Sequence, residues 1–375
     1  MKSNALFLTG MLMTVLAFSA RANAPSHDDS FSKDGLFKAD ASKLKDTEMV
    51  LHPDVPLDTN KNVLWCGTLQ LAWNEAIRLV GEKLRFERQP EIVNLLNQED
   101  FTSSDLEADS YVAIADFERN NVEDEIRAAL QKKFQGPASP ELIPKKPAHP
   151  LPDDFVAYAY LYKNLAFPEP FVENKDNPLS FDGKPVKSFG FLKNKDKLPK
   201  AIFKQVSIFD YQSPDDFIVS LKTKQSEDEL ILAKVTPGAT LQATINAVLQ
   251  RMTPDKREIA AERDNLSAPK LNFDLRRDYD QLEGLVLTPG ADAHVKKLVV
   301  KTVQQLVRFQ LDEKGAILKS EAVMTMVGLA MPVNTPKIHQ MIFDKPFLIL
   351  MKQKKSDRPY FALWVGNASL LMPAK

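Results

Sequence analysis

The stretch that decides the fold is "FLILMKQKKSDRPYFALWVG", residues 347–366 near the C-terminus. Two apolar runs flank a charged segment, and this pattern is typical of two strands joined by a polar turn. Large apolar side chains at this density would promote aggregation if they were exposed. We therefore predict that both strands belong to the core. The side chains predicted to be buried are those of Phe347, Leu348, Leu350 and Trp364.

Upstream, the stretch "FQLDEKGAILKSEAVMTMVGLAMPVNTP" (Phe309–Pro336) alternates as a strand does up to Asp312, turns at "EKG" and then alternates again. Gly315 can supply the positive φ that a hairpin turn requires. Past Ala322 the segment becomes Met-rich and uncharged. Two hypotheses remain open. The segment is either the second strand of a hairpin that already lies in a sheet, or an exposed loop kept ready to become a strand.

The rest of the chain combines helical and strand-like patterns. Apolar spacing and charge distribution predict three helices, within Thr68–Leu84, Val122–Phe134 and Thr240–Pro254. The proline-rich segment Gly136–Asp154 is interpreted as a long surface loop, with an interdomain linker as the alternative. Mostly strand-like patterns follow it. The sequence therefore predicts an α+β fold.

The N-terminus has the pattern of a secretory signal peptide. One lysine precedes the apolar run Leu6–Phe18, and small residues follow it. Cleavage after Ala22 is favoured over cleavage after Ala24, because Pro25 would fit poorly into the extended backbone that a protease cleft requires. The apolar run is too short for a bilayer, which takes about 20 residues. We predict a signal peptide at 1–22, a secreted or periplasmic protein and no integral membrane segment.

Composition restricts the class of protein further. Residues 23–60 are polar with scattered Pro and Asp, which predicts a flexible lead-in. The 375-residue chain is 26% charged with a net charge of −1, so its charge does not indicate nucleic acid or an anionic membrane as a partner. The single cysteine, Cys66, cannot form an internal disulfide, so stability has to come from a large core. Cys66 has apolar neighbours, and a buried thiol is favoured over a reactive one.

No catalytic motif is present. The sequence contains no HExxH, CxxC or GxSxG and no glycine-rich phosphate loop. Its five histidines are scattered, mostly in loop-like surroundings, and are interpreted as surface residues. Acidic clusters and the basic runs Lys193–Lys200 and Lys352–Arg358 are interpreted as solvated turns. We predict no enzyme, no cofactor and no metal site, with an unrecognised secreted enzyme as the least favoured alternative.

Four blocks, taken in order, resemble the serpin family. The most specific is Phe343–Pro373, which is similar to the family's closing F-N-[KR]-P-F followed by two apolar strands around a polar turn. Val300–Gly315 resembles the strand that leads into the family's hinge. Phe155–Phe171 resembles a strand followed by aromatic-Lys-Gly and Pro-Phe, with Asn164 in place of the glycine. Gln205–Tyr211 resembles the family's Q-V-x-x-L-P-Y. The first hundred residues after the predicted cut match no serpin motif.

The resemblance implies a fold and a function. The implied fold is a serpin-like single domain, residues 61–375, with a large mixed or antiparallel main sheet, smaller sheets and a helical layer. The implied function is that of a monomeric protease inhibitor, whose partner is a serine or cysteine protease. Counting from the hinge glycine puts the attacked bond near Leu329–Ala330. The implied hinge residues are Glu313, Gly315 and Ala316, and the implied protease-facing loop residues are Met326, Val327, Gly328, Leu329, Ala330 and Met331.

The chain departs from the family at the hinge. A cut serpin loop inserts into the main sheet as a new strand, and inhibitory members favour small residues there. Here Ile317 and Leu318 are bulky, and Lys319 and Glu321 are charged and share the side of Ile317. Burying an unpaired charge is costly, so insertion is expected to be slow and the protein to be cut as a substrate. If that face of the sheet is exposed, the pattern is instead that of a normal half-buried strand. A non-inhibitory serpin-fold binding or carrier protein is the alternative function.

Overall fold

A computed structural model gives the structure of residues 31–134, 142, 151, 153–192, 195–290, 295, 297–318 and 338–374. The predicted signal peptide lies outside these residues, as does most of the proline-rich segment. The predicted loop residues Met326–Met331 also lie outside them, together with Lys319 and Glu321. The hinge residues predicted from the sequence lie within them.

The described residues form five α-helices. They are α1 (Thr68–Val80), α2 (Glu91–Leu96), α3 (Val122–Phe134), α4 (Lys200–Lys204) and α5 (Leu241–Arg251). The three predicted helices are present. Helix α1 ends one turn earlier than predicted, because Gly81 adopts a φ of 87° and its N–H caps the carbonyl of Ile77. Helix α5 begins after Thr240, whose side chain accepts a hydrogen bond from the N–H of Ala243.

Twenty-one strands are present in the same part of the chain. They are β1 (Phe37–Asp40), β2 (Thr47–Met49), β3 (Asn62–Cys66), β4 (Tyr111–Phe117), β5 (Phe155–Leu161), β6 (Lys163–Ala166), β7 (Val172–Glu173), β8 (Leu179–Phe181), β9 (Lys184–Val186), β10 (Ser188–Phe191), β11 (Val206–Ser213), β12 (Asp216–Leu221), β13 (Asp228–Lys234), β14 (Glu258–Ile259), β15 (Asn265–Pro269), β16 (Leu271–Asp278), β17 (Gln304–Asp312), β18 (Gly315–Leu318), β19 (Gln340–Ile342), β20 (Phe347–Gln353) and β21 (Pro359–Val365).

The largest sheet has eight strands in the order β14-β11-β12-β13-β20-β21-β3-β2. The C-terminal hairpin β20–β21 lies near its centre. Phe347, Leu348 and Leu350 are fully buried and Trp364 is 1% exposed, as predicted. A central strand with both faces covered needs apolar residues at every position, which explains the continuous apolar runs.

Four further sheets complete the architecture. A five-stranded sheet has the order β1-β16-β17-β18-β6, and a four-stranded sheet has the order β19-β15-β10-β7. Two-stranded pairs are formed by β4 with β5 and by β8 with β9. Both the largest sheet and the five-stranded sheet are mainly antiparallel with one parallel pair each. This is the α+β fold, with a large sheet, smaller sheets and helices, that the sequence predicted.

Buried side chains connect the sheets and helices. One cluster contains residues from the three largest sheets, including Val63, Leu165 and Phe189. A second cluster packs α3 against β5, through side chains such as Leu130 and Tyr158. Because α3 precedes the proline-rich segment and β5 follows it, apolar contacts join the two sides of that segment.

Two interpretations from the sequence are wrong. The lead-in at 23–60 is not flexible from residue 31 onward, because it forms β1 and β2 and buries the side chains of Phe31 and Met49. Its few apolar residues are enough to anchor it to sheets built elsewhere in the chain. His52 and His339, interpreted as surface residues, are only 4% and 5% exposed. Among the described residues no helix has the length and apolarity needed to cross a membrane.

Candidate functional site

The hinge predicted from the sequence is the tip of a hairpin in the five-stranded sheet. β17 and β18 are antiparallel, with Asp312 opposite Gly315 and Gln310 opposite Ile317. The carboxylate of Asp312 accepts a hydrogen bond of 2.8 Å from the N–H of Lys314 inside the turn. On its other side, β18 pairs in antiparallel fashion with β6. Residues 315–318 are therefore a strand in the interior of the sheet.

Gly315 lies where no side chain can fit. Its φ is 154°, a positive value that residues with a Cβ rarely adopt. A Cβ at this position would come within 2.5 Å of the carbonyl oxygen of Leu165 and 2.7 Å of Cα of Ala166. Both are backbone atoms of β6, so they cannot move aside as a side chain could. The glycine is thus required by the close approach of β18 to β6.

Glu313 fastens the turn to the neighbouring sheet. Its carboxylate lies 2.8 Å from Nζ of Lys270, which also lies 3.2 Å from the carboxylate of Glu173. Burial alone would lower the pKa of Lys270, but its hydrogen bonds to the two carboxylates outweigh burial and raise that pKa. The carbonyl of Glu313 also accepts a hydrogen bond of 2.8 Å from the N–H of Phe171. Both side chain and backbone of Glu313 therefore hold the turn.

The side chains of β18 point alternately to the two faces of the sheet, and both faces contact other elements. Ala316 is fully buried and Leu318 is 5% exposed, and both belong to the cluster shared by the larger sheets. Ile317 points the other way. It packs against the cluster in which α3 contacts β5, here called the cluster beneath α3. Protein side chains therefore contact both faces of the hinge strand, with Leu318 buried and Ile317 partly buried.

A buried ionic network lies at the end of β18. Leu318 is opposite Lys163 of β6, whose Nζ lies 2.8 Å from the carboxylate of Glu107 and 2.9 Å from that of Asp228. The hydroxyl of Tyr360 donates a hydrogen bond of 3.1 Å to Asp228. Burial raises the pKa of Asp228, and the contact with Lys163 offsets part of that rise. The network joins β6 to the eight-stranded sheet.

Strands β17 and β5 each have one partner strand near this end of the hinge strand, among the described residues. Residues 304–309 of β17 pair with β16 on one side, and β5 pairs with β4 on one side. In the described part of the chain no ladder joins β17 to β5. The side chain of Gln305 anchors this end of β17. Its Nε2 donates to the backbone carbonyl of Cys66 at 2.9 Å, and its Oε1 accepts from the hydroxyl of Tyr279 at 2.9 Å.

The structure brings together Glu313, Gly315 and Ala316 of the predicted site. The predicted loop residues Met326–Met331 are not described. The hinge predicted from the sequence did not include Lys270 and Lys163, the two cations that contact the hinge turn and border the end of its strand. A buried lysine has no local sequence signal, because its carboxylate partners are distant in sequence.

Other reactive side chains in the described residues are held in structural contacts. Nδ1 of His339 lies 3.2 Å from the buried carboxylate of Asp264. Burial raises the pKa of the Cys66 thiol, more than its hydrogen bonds to Thr68 and Gly67 lower it. Among the described residues no group of three or more His, Cys, Asp or Glu side chains is arranged to hold a metal ion.

The similarity of this chain to known proteins lies in its structure. No protein-family model matches its sequence, and no curated protein matches it. Its structure is similar to Serpin48 of the insect Tenebrio molitor, with a TM-score of 0.41 and 14% identity, over 82% of this chain and 96% of that one. It is also similar to a tumour-suppressing serpin, with a TM-score of 0.49 and 12% identity, over 83% of this chain and 93% of that one.

A third similar structure is thyroxine-binding globulin in complex with thyroxine. The TM-score is 0.43 and the identity 12%, over 82% of this chain and 93% of that one. At such identities the similarities concern the fold. The function of this chain has to be argued from its own residues.

Proposed function

We propose that this chain is a secreted, monomeric serpin-fold protein that offers residues 319–336 to a serine or cysteine protease as a substrate-like loop. The observation that supports the proposal is the position of β18, which lies between β17 and β6 in the sheet and directly precedes residues 319–336. Residues 319–337 connect β18 of the five-stranded sheet to β19 of the four-stranded sheet, so the segment is tethered at both ends. Such a tethered segment suits the extended conformation that a protease cleft binds.

The register of β18 indicates what further insertion would require. If the pairing continued unchanged, Lys319 would come opposite Arg308 of β17 and Tyr162 on the other side. Lys319 would share the face of Ile317, which is partly buried against the cluster that contains α3 and β5. Two like charges opposite each other destabilise a sheet. Insertion past Leu318 is therefore expected to be slower than hydrolysis of the cut loop by the protease.

The same geometry supports a second candidate function. A hinge strand that is already inserted, followed by charges that oppose further insertion, also suits a serpin-fold binding or carrier protein that does not trap proteases. On that hypothesis residues 319–336 need not be cut near Leu329–Ala330. The two functions differ in how readily proteases attack this segment and in what the products are.

Incubation with trypsin-like, chymotrypsin-like and papain-like proteases tests the proposal. We expect a cut within residues 324–336, located by intact mass, with at most a minor SDS-resistant adduct. The double variant Lys319→Ala/Glu321→Ala should increase the adduct. The matched control Ser320→Ala, on the opposite side of the strand, should not.

Two outcomes would contradict this function. If none of the proteases cuts residues 319–336 while other surface loops are cut, the segment is not offered as a substrate and the binding or carrier function is favoured. A quantitative one-to-one covalent complex with the unmodified protein would show that Lys319 and Glu321 do not limit insertion.

A further inference from the structure

Residues 31–40, here called the N-terminal clasp, are bound to the outer edge of the five-stranded sheet. Strand β1 pairs in parallel with β16. The side-chain amide of Asn272 in β16 donates hydrogen bonds to the carbonyls of Ser32 at 3.0 Å and Asp34 at 2.8 Å. Nζ of Lys38 lies 3.1 Å from the carboxylate of Asp274. The clasp is thus attached along its length rather than only at β1.

A chain of hydrogen bonds runs from the clasp to the hinge turn. The N–H of Ser32 donates to the side-chain carbonyl of Gln310 at 2.8 Å. The side-chain amide of Gln310 donates to the carboxylate of Asp312 at 2.6 Å, and that carboxylate accepts from the N–H of Lys314. Gln310 is also the residue opposite Ile317 in the hairpin. One orientation of the Gln310 side-chain amide therefore satisfies both contacts. Its nitrogen donates to Asp312, and its oxygen accepts from the N–H of Ser32.

An apolar contact connects the same two regions. Phe31 is 5% exposed and belongs to the cluster beneath α3, and the guanidinium of Arg308 lies 4.2 Å from the centre of its ring. Ile317 of the hinge strand packs against the same cluster. Removal of the Phe31 ring would leave a cavity in a cluster that holds both α3 and Ile317.

We propose that the N-terminal clasp holds the hinge strand β18 in the sheet, so that loss of Phe31 and Ser32 releases it. Gln310 is 5% exposed, so losing the N–H of Ser32 leaves its buried carbonyl without this donor. Lys33 is exposed, and a cut after it would remove both residues. The clasp thereby makes N-terminal trimming a means of loosening the hinge. This inference stands apart from the proposed function, because it concerns the strand and not the protease.

Hydrogen exchange in the full-length protein, followed by mass spectrometry of peptides that cover 315–318, tests the clasp. Phe31→Ala removes the apolar contact, and Ser32→Pro removes the donor to Gln310. Ser32→Pro should speed exchange in β18 by on the order of tenfold, the effect of losing one hydrogen bond, and Phe31→Ala should speed it at least as much because it leaves a cavity. Exchange in β21 should change much less. The matched control Lys33→Ala changes an exposed side chain of the same segment and should leave β18 unchanged.

Phe31→Ala removes an apolar contact, whereas Ser32→Pro removes a hydrogen-bond donor. If one variant does not fold, the other still tests the proposal. The proposal is overturned if β18 exchanges at its original rate while residues 31–40 become unprotected, because the clasp then only covers a sheet edge. It is also overturned if β18 and β21 accelerate equally, because the clasp then acts on global stability alone. Neither result bears on whether a protease attacks 319–336.

Discussion

Nζ of Lys163 lies 2.9 Å from the carboxylate of Asp228, with both side chains almost fully removed from water. The two residues belong to different sheets, so this ion pair joins β6 beside the hinge strand to β13 of the eight-stranded sheet. Removing one partner leaves the other charge buried, which generally costs more than the pair itself contributes. The hinge strand therefore borders a part of the sheet that resists displacement.

We expect Lys163→Met to lower the free energy of unfolding by about 3–5 kcal/mol, because Asp228 would lose its cation. The double variant Lys163→Met/Asp228→Leu should cost less than the single one. The control Lys61→Met, which breaks an exposed pair with Asp58, should cost less than about 1 kcal/mol. Urea unfolding followed by fluorescence measures all three, and equal losses in Lys163→Met and Lys61→Met would contradict the expectation.

Gly315→Ala should displace β18 from β6, because the added Cβ meets backbone atoms at 2.5 Å and 2.7 Å. The control is Gly183→Ala, at a positive φ of 80° with no atom within 4 Å of the added Cβ. Gly183→Ala should cost about 1 kcal/mol through backbone strain alone. Gly315→Ala should cost more and should speed hydrogen exchange in residues 315–318. Unchanged exchange in that variant would mean that β6 yields to the methyl group.

The hinge ion pair should lose its effect in alkaline solution. The pKa of Lys270 is raised in the folded protein above its ordinary value of 10.5, through its bonds to Glu313 and Glu173. A raised lysine pKa stabilises the fold fully below the ordinary value, and the stabilisation disappears as pH rises through the folded-state pKa. The stability difference between the original protein and Lys270→Met should hold at pH 8 to 9 and shrink above about pH 10.5. A difference that is constant up to pH 11.5 would show that Lys270 acts through packing alone.

Glu173, an acidic partner of Lys270, contributes to stability with the opposite dependence on pH. Burial would raise the pKa of Glu173, but Lys270 and Lys175 outweigh burial and lower it. The stabilisation from Glu173 is therefore present above its ordinary pKa of 4.5 and disappears as pH falls through the lower folded-state value. Glu173→Gln should thus destabilise the protein at pH 7 and make little difference at pH 2 to 3. A loss of the same size at both pH values would contradict this assignment.

Cleavage between Met324 and Pro336 should change the melting temperature by less than about 4 °C, because β18 is already in the sheet and Lys319 opposes further insertion. The variant Lys319→Ala/Glu321→Ala should gain more on cleavage, since its added strand residues would pair their backbone and bury apolar surface at about 25 cal/mol per Å². Differential scanning calorimetry before and after cleavage measures the gain. A rise of many degrees in the unmodified protein would show that the charges on this segment are tolerated.

The parts of the fold that sequence predicts are those whose signals are local. The strand of Phe347 and the strand of Trp364 are central, so their apolar runs are unbroken. The hairpin at Gly315 is likewise predicted by the alternation of apolar and polar residues on both sides of a turn. Residues such as Lys163 and Asp228 are not predictable in this way. Each resembles a solvated charge locally, and only folding brings them together from positions 65 residues apart.

Residues 31–40 are a segment whose order the sequence does not predict, because their partners are distant in sequence. Their polar composition predicts flexibility, yet β16 offers them an edge and Asn272 binds their backbone. A segment that buries few side chains of its own becomes ordered by hydrogen bonds that other elements supply. The buried His339 was missed for the same reason, because its partner Asp264 precedes it by 75 residues.

The two neighbours of β18 differ greatly in how far away they lie along the chain. Residue 317 meets residue 310 across a tight turn, but it also meets residue 164, more than 150 positions upstream. Closing a short hairpin takes microseconds, whereas contacts across long stretches of chain form slowly. As the protein folds, β17 and β18 can thus form as one unit first and dock onto β6 afterwards. The hinge strand therefore joins the five-stranded sheet late in folding, and its pairing with β6 is the last of its two pairings to form.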